Sequence, residues 1–68
     1  MIVTVNGQRR ELQSGATVAA LVAALWEAPG GRGVAVAVSG EVVPRTEWPH
    51  TELHEGAAVE VLSAVQGG

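Results

Sequence analysis

The chain closes on Gln66-Gly67-Gly68, and this ending holds the one group whose chemistry needs no pocket of its own. Glycine lacks Cβ, so a Gly-Gly backbone passes through a narrow channel and presents the carboxylate of Gly68 deep inside another protein. A carboxylate is a poor electrophile. It must first attack the α-phosphorus of ATP to give an acyl adenylate, whose AMP leaving group a sulfur nucleophile can displace. Gly68 is therefore the candidate for covalent modification, Gly67 the slim approach to it, and Gln66 the start of the tail. Taken alone, two terminal glycines fit a frayed end or a cloning scar better than a reactive tail. The tail gains meaning only from the body that carries it.

Other chemically capable residues lead less far. His50 and His54 stand four apart with Glu52 and Glu55 close by, which on a helix would put two imidazoles on one face. Pro49 before them and Gly56 after them argue against a helix, and a zinc site needs a third, usually distant, ligand. They read as surface-loop histidines, and no metal is expected. Gly30-Gly31-Arg32-Gly33 looks superficially like a phosphate loop, but it lacks the Lys-Ser/Thr pair and precedes a strand where a phosphate loop precedes a helix. Arg9-Arg10 is too short for a nucleic-acid patch. Arg45 either pairs with Glu47 or a backbone carbonyl, or faces a partner. Trp26 and Trp48 read as core anchors. No Ser or His sits in a nucleophile context, so no catalytic residue is expected in the chain itself.

Composition narrows the function classes. Of 68 residues, 47% are hydrophobic and 16% charged, too apolar and too weakly charged for a disordered tail. There is no 18-residue apolar run to span a membrane and no basic segment before Ile2 to start a secretory signal. A net charge of −3 argues against nucleic acid, whose binders displace counterions with a basic face. With no cysteine the chain has neither a disulfide nor a thiolate site, which fits a reducing cytoplasm. A domain of this size buries only about 60% of its unfolded surface, little with which to hold an enclosed active site. A carrier, ligand or subunit is expected rather than a stand-alone enzyme.

The elements that must position the tail follow from pattern. Ile2-Val3-Thr4-Val5 is β-branched and reads as a strand, and Asn6-Gly7 is a hairpin turn of the kind that needs positive φ at both positions. Gln8 to Leu12 returns as a polar edge strand. Thr17 is a helix N-cap, followed by an apolar stripe at Val18, Leu21, Val22, Leu25 and Trp26, with Ala between. Burial of those five side chains would contribute roughly 8–15 kcal/mol gross, and Pro29-Gly30-Gly31 is expected to end the helix. Val34 to Val38 alternates large and small, with one bulky face. Ser39-Gly40 turns the chain into the short strand Glu41-Val42-Val43, which Pro44 stops. Pro44 to His54 reads as irregular, with Trp48 its only large apolar anchor. Ala58 to Val65 alternates again, placing Val59 and Val61 on one side and Glu60, Leu62 and Ala64 on the other. A first hairpin, one central helix and a last strand parallel to the first describe an α+β, ubiquitin-like β-grasp with four to five strands. The expected division is a single domain over residues 1–65 and a flexible tail over 66–68.

The strand-helix order, the run Val34-Ala35-Val36-Ala37-Val38-Ser39-Gly40-Glu41-Val42-Val43, the segment Val59-Glu60-Val61-Leu62 and the terminal Gly-Gly together resemble the ThiS family, sulfur carriers of thiamine (thiazole) biosynthesis. The resemblance spans essentially the whole chain. Its most specific part is Val43-Pro44-Arg45-Thr46-Glu47-Trp48, similar to the family's V-P-R-x-x-W segment after the third strand. That segment helps separate the family from the molybdopterin-synthase small subunit, which shares fold and tail and is usually longer. The resemblance implies a cycle. An adenylyltransferase of the ubiquitin-activating class adenylates Gly68, consuming ATP that the chain itself does not bind. A persulfide from a cysteine desulfurase or sulfurtransferase converts the adenylate to a thiocarboxylate, and thiazole synthase takes the sulfur. Because the chain has no cysteine, that sulfur must arrive on a partner's thiol.

Leu62 and Ala64, with the outward Ala35 and Ala37, are expected to form a slightly apolar docking patch near the tail. The readings that stand beside this one are a carrier with the same chemistry for molybdopterin or another product, a ubiquitin-like module that binds without covalent chemistry, and a non-catalytic enzyme subunit.

Overall fold

A computed structural model of the chain describes residues 1–26 and 31–63. Five strands form one mixed sheet: β1 (Ile2–Val5), β2 (Gln8–Glu11), β3 (Val34–Val38), β4 (Glu41–Val43) and β5 (Ala58–Ser63). Their order is β2-β1-β5-β3-β4, so the last strand lies at the centre. It runs parallel to β1, with Val5 opposite Val59, and antiparallel to β3, with Val34 opposite Ser63. This is the β-grasp expected from the order of elements, and among the described residues the only parallel pair is the one that a crossover must connect.

The first turn behaves as its residues dictate. Asn6 has φ 51° and Gly7 φ 82°, the two positive values that an Asn-Gly hairpin supplies at low cost. β2 is a fully exposed edge, as its polar residues require. Helix α1 (Val18–Leu25) is capped by Thr17, whose Oγ1 accepts from the Ala20 N–H at 3.1 Å. A second free N–H of the first turn, that of Val18, donates to the Thr51 carbonyl at 2.9 Å.

The helix is shorter than its apolar stripe. Val18, Leu21 and Val22 are buried, but Leu25 is 37% exposed and Trp26 has already left helical backbone, with φ −129° and ψ 137°. Trp26 packs only partly against the core, so three side chains rather than five deliver full burial, roughly 5–9 kcal/mol gross. Facing them are Val3, Val5, Val36, Val59 and Val61 of the sheet, the inward members of each alternating strand.

The segment after Pro44 is ordered rather than irregular. Arg45–His50 forms a 3-10 helix that buries Trp48, whose Nε1 donates to the Val43 carbonyl at 2.9 Å. Leu53 is a second anchor, 2% exposed, and its N–H donates to Ala16 at 2.8 Å. Thr17 and Glu52 form a bridge, so the segment closes the helix-side layer by pairing with the entrance to α1. Among the described residues no helix is long and apolar enough to cross a membrane.

Candidate functional site

The tail is launched from β5, and β5 is held on both edges. On one side all five residues of β3 pair with it, from Val38 opposite Val59 to Val34 opposite Ser63. On the other, β1 ends at Val5, yet its pairing is prolonged by the turn. The Asn6 N–H donates to the Val59 carbonyl at 2.9 Å. The Asn6 side chain then reaches two residues further: Oδ1 accepts from the Val61 N–H at 2.8 Å, and Nδ2 donates to the Val61 carbonyl at 3.1 Å. A side-chain amide carries one acceptor and one donor group, the same pair that a strand neighbour would offer. Asn6 therefore stands in for a missing strand residue and keeps the last turn of sheet from fraying. The sequence signals its role in the turn only; its second role depends on the register of a strand 55 residues away.

Ser63 is the last described residue. Ala64, Gln66, Gly67 and Gly68, singled out from the sequence, lie outside the described residues. Leu62 is described and is 73% exposed, on the sheet face away from α1. It sits opposite Ala35, while Glu60 sits opposite Ala37 and Ala37 opposite Val42. Val42 is 76% exposed and joins the same outer face. The sequence leaves open which of Val42 and Val43 faces out, because three residues are too few for an alternation; the pairing of Val36 with Val43 decides it. The outer face therefore carries Leu62, Ala35, Val42 and the partly covered Ala37, with Glu60 as its one acid on β5.

Where β3 begins and β5 ends, an open groove of about 520 Å³ lies beside Ser63. Leu62, Ser63, Val34 and Ala35 form its strand side, and Pro44, Arg45 and Thr46 its other wall. Gly31 and Gly33 complete it. Gly31 is buried with φ 73°, and a Cβ there would overlap the Trp48 ring and come within 2.9 Å of Arg45 Cδ. Gly31 is thus required by close packing at the entry to β3. His50 and His54 are both exposed, and the 3-10 helix ends at His50, so their spacing does not bring them onto one helical face. Among the described residues no three His, Asp or Glu side chains cluster as metal ligands. Arg9 and Arg10 stand exposed on β2.

Comparison with known proteins agrees with this geometry. The ThiS family model matches residues 3–68. A crystal structure of a thiamine biosynthesis protein (ThiS) from Geobacter metallireducens superposes with TM-score 0.81 at 33% identity, covering 100% of both chains. A solution NMR structure of a thiamine biosynthesis protein from the same organism gives TM-score 0.80 at 34% identity, covering 100% of this chain and 88% of the other. No curated protein sequence matches the chain. With the family model covering nearly its full length and a ThiS structure superposing on the whole chain, the chain belongs to the ThiS family.

Proposed function

We propose that the chain carries sulfur on its terminal carboxyl group, as a thiocarboxylate of Gly68, and delivers it for thiazole formation in thiamine biosynthesis. Family membership supports the general role, a sulfur carrier of thiamine biosynthesis. The observation that supports the finer reading is the anchoring of β5, the central strand, whose last residue Ser63 pairs with the first residue of β3 and whose Val61 is clamped by Asn6. A firmly held strand followed by five residues ending Gly67-Gly68 gives a fixed base and a slim probe.

The chemistry divides among proteins. The Gly68 carboxylate attacks the α-phosphorus of ATP on an activating enzyme of the ubiquitin-activating class, forming the acyl adenylate and releasing pyrophosphate. A persulfide sulfur from a desulfurase or sulfurtransferase displaces AMP, and reductive cleavage of the resulting acyl disulfide by a second thiol leaves the thiocarboxylate. Thiazole synthase then accepts the sulfur. The carrier itself holds no ATP and supplies no acid or base; its part is presentation. Leu62, with Ala64 beyond it, is proposed to dock the partners on the outer face.

Removal of Gly67-Gly68 tests the assignment. The truncated chain is expected to bind the activating enzyme through its outer face yet to support no ATP–pyrophosphate exchange. Exchange equal to that of the full chain would contradict a role for Gly68, and a loss of binding together with exchange would move recognition into the tail itself.

A further inference from the structure

The chain has one asparagine and no aspartate, and that asparagine precedes a glycine at the tip of the first hairpin. The pair holds both partners of an intramolecular acyl transfer. The electrophile is Cγ, the carboxamide carbon of Asn6, and the nucleophile is the backbone nitrogen of Gly7. Gly7 has no side chain to shield that nitrogen, and a Cβ built on it would meet no atom within 4 Å. Among the described residues the Gly7 N–H donates to no acceptor, and both turn residues are exposed to water.

Against this stands the clamp. Oδ1 of Asn6 accepts from the Val61 N–H at 2.8 Å and Nδ2 donates to the Val61 carbonyl at 3.1 Å, which turns the edge of the carboxamide to β5. A nucleophile needs its face, because it approaches a carbonyl carbon from above the amide plane. Turning that face to Gly7 withdraws both polar atoms from Val61. The backbone resists as well: the Asn6 N–H donates to the Val59 carbonyl at 2.9 Å, and the φ values of 51° and 82° belong to a fixed turn.

We propose that Asn6 is a site of spontaneous covalent modification by water, and that release of its side chain from Val61 is the gate on the rate. The Gly7 nitrogen gives its proton to hydroxide and forms a bond to Asn6 Cγ. The Cγ–Nδ2 bond breaks, ammonia leaves, and a cyclic imide closes. Water then opens the ring. Attack at Cγ leaves aspartate at position 6; attack at the backbone carbonyl leaves isoaspartate, with the main chain routed through Cγ and longer by one methylene. One water enters and one ammonia leaves, with no change of oxidation state. Either product puts a carboxylate oxygen where the Nδ2 donor stood, facing a carbonyl oxygen that repels it. Isoaspartate also lengthens a two-residue turn whose length fixes the strand register. The modification therefore loosens β5 on its β1 side, while the pairing with β3 involves no atom of Asn6. None of these steps depends on the loading of Gly68.

The test incubates the full-length chain at one mildly alkaline pH and temperature, native and in unfolding urea. Intact mass, which rises by the difference between a hydroxyl and an amino group, and an isoaspartate assay follow the reaction. With one asparagine and no aspartate in the chain, all isoaspartate arises at Asn6. The native chain should react about five- to 150-fold more slowly than the unfolded one, the shift that two ordinary hydrogen bonds produce. Thr17→Ala weakens the entrance to α1 without touching the turn and should leave the native rate unaltered. The isoaspartyl form, separated by ion exchange, should exchange its Val61 amide faster than the unmodified chain. A native rate equal to or above the unfolded one overturns the gate. So does a slowing of about 10³-fold or more, the scale of global unfolding, or an acceleration by Thr17→Ala. Unchanged exchange at Val61 overturns the loosening, and an unfolded chain that forms no isoaspartate overturns the site itself. The comparison of native with unfolded chain needs no substitution, so it reads even where a variant folds poorly.

Discussion

Gly31 shows how much rests on a missing side chain. Its φ of 73° is unfavourable to any residue with a Cβ, and the added methyl would meet the Trp48 ring. Left-handed backbone costs about 1–2 kcal/mol and overpacking about 1–3 kcal/mol. Gly31→Ala is therefore expected to lower stability by about 2–5 kcal/mol in urea denaturation followed by tryptophan fluorescence; a loss below about 0.5 kcal/mol, the range of an ordinary surface change, would contradict the packing. Asn6 makes the complementary case, where the side chain itself is needed. Asn6→Gly keeps a residue suited to φ 51° but removes both bonds to Val61. At about 0.5–1.5 kcal/mol per bond, the variant should lose about 1–3 kcal/mol. Hydrogen exchange should speed up most at the Val61 amide, and uniform acceleration across the sheet would show that the clamp is not local.

At the scale of elements, α1 depends on its entrance. Thr17 caps it and the Thr51 carbonyl takes a second N–H, so Thr17→Ala should cost about 1 kcal/mol. The loss would be read as a lowered denaturation midpoint with an unchanged slope. That cap, the Asn6-Gly7 turn and the inward faces of β3 and β5 were legible in sequence because each is written in a short local pattern. The end of the helix was not. The stripe through Leu25 and Trp26 continues the helical period, but the sheet beneath covers only Val18, Leu21 and Val22 fully. Nor was the segment from Arg45 to Leu53, whose order comes from tertiary contacts: Trp48 bonding to Val43, and Leu53 bonding to Ala16. A 3-10 helix has no apolar period long enough to betray it. At the site, Leu62 could be assigned to the outer face from alternation alone, whereas Val42, the Arg45–Gly31 contact and the second role of Asn6 required the register of distant strands.

At the scale of the whole molecule, the proposed reaction at Gly68 stands apart in sequence from the described core. Every buried core side chain among the described residues lies between Val3 and Val61 in sequence, and those of the sheet face α1. Shortening the chain after Ser63 should accordingly leave stability within about 0.5 kcal/mol, checked by thermal unfolding, while a cut before Val61 removes a buried strand residue and its clamp and should prevent folding. A carrier built this way keeps its body intact whatever happens at its end. The most direct test of that division is the intact mass of the full chain after incubation with ATP, its activating enzyme and a persulfide donor, under reducing conditions. Loading at Gly68 predicts a gain equal to the difference between one sulfur and one oxygen atom, localised by fragmentation to the C-terminal residue and missing from the chain without Gly67-Gly68. An unchanged mass with a partner that binds the chain, or a gain that maps anywhere upstream of Gly68, would contradict it.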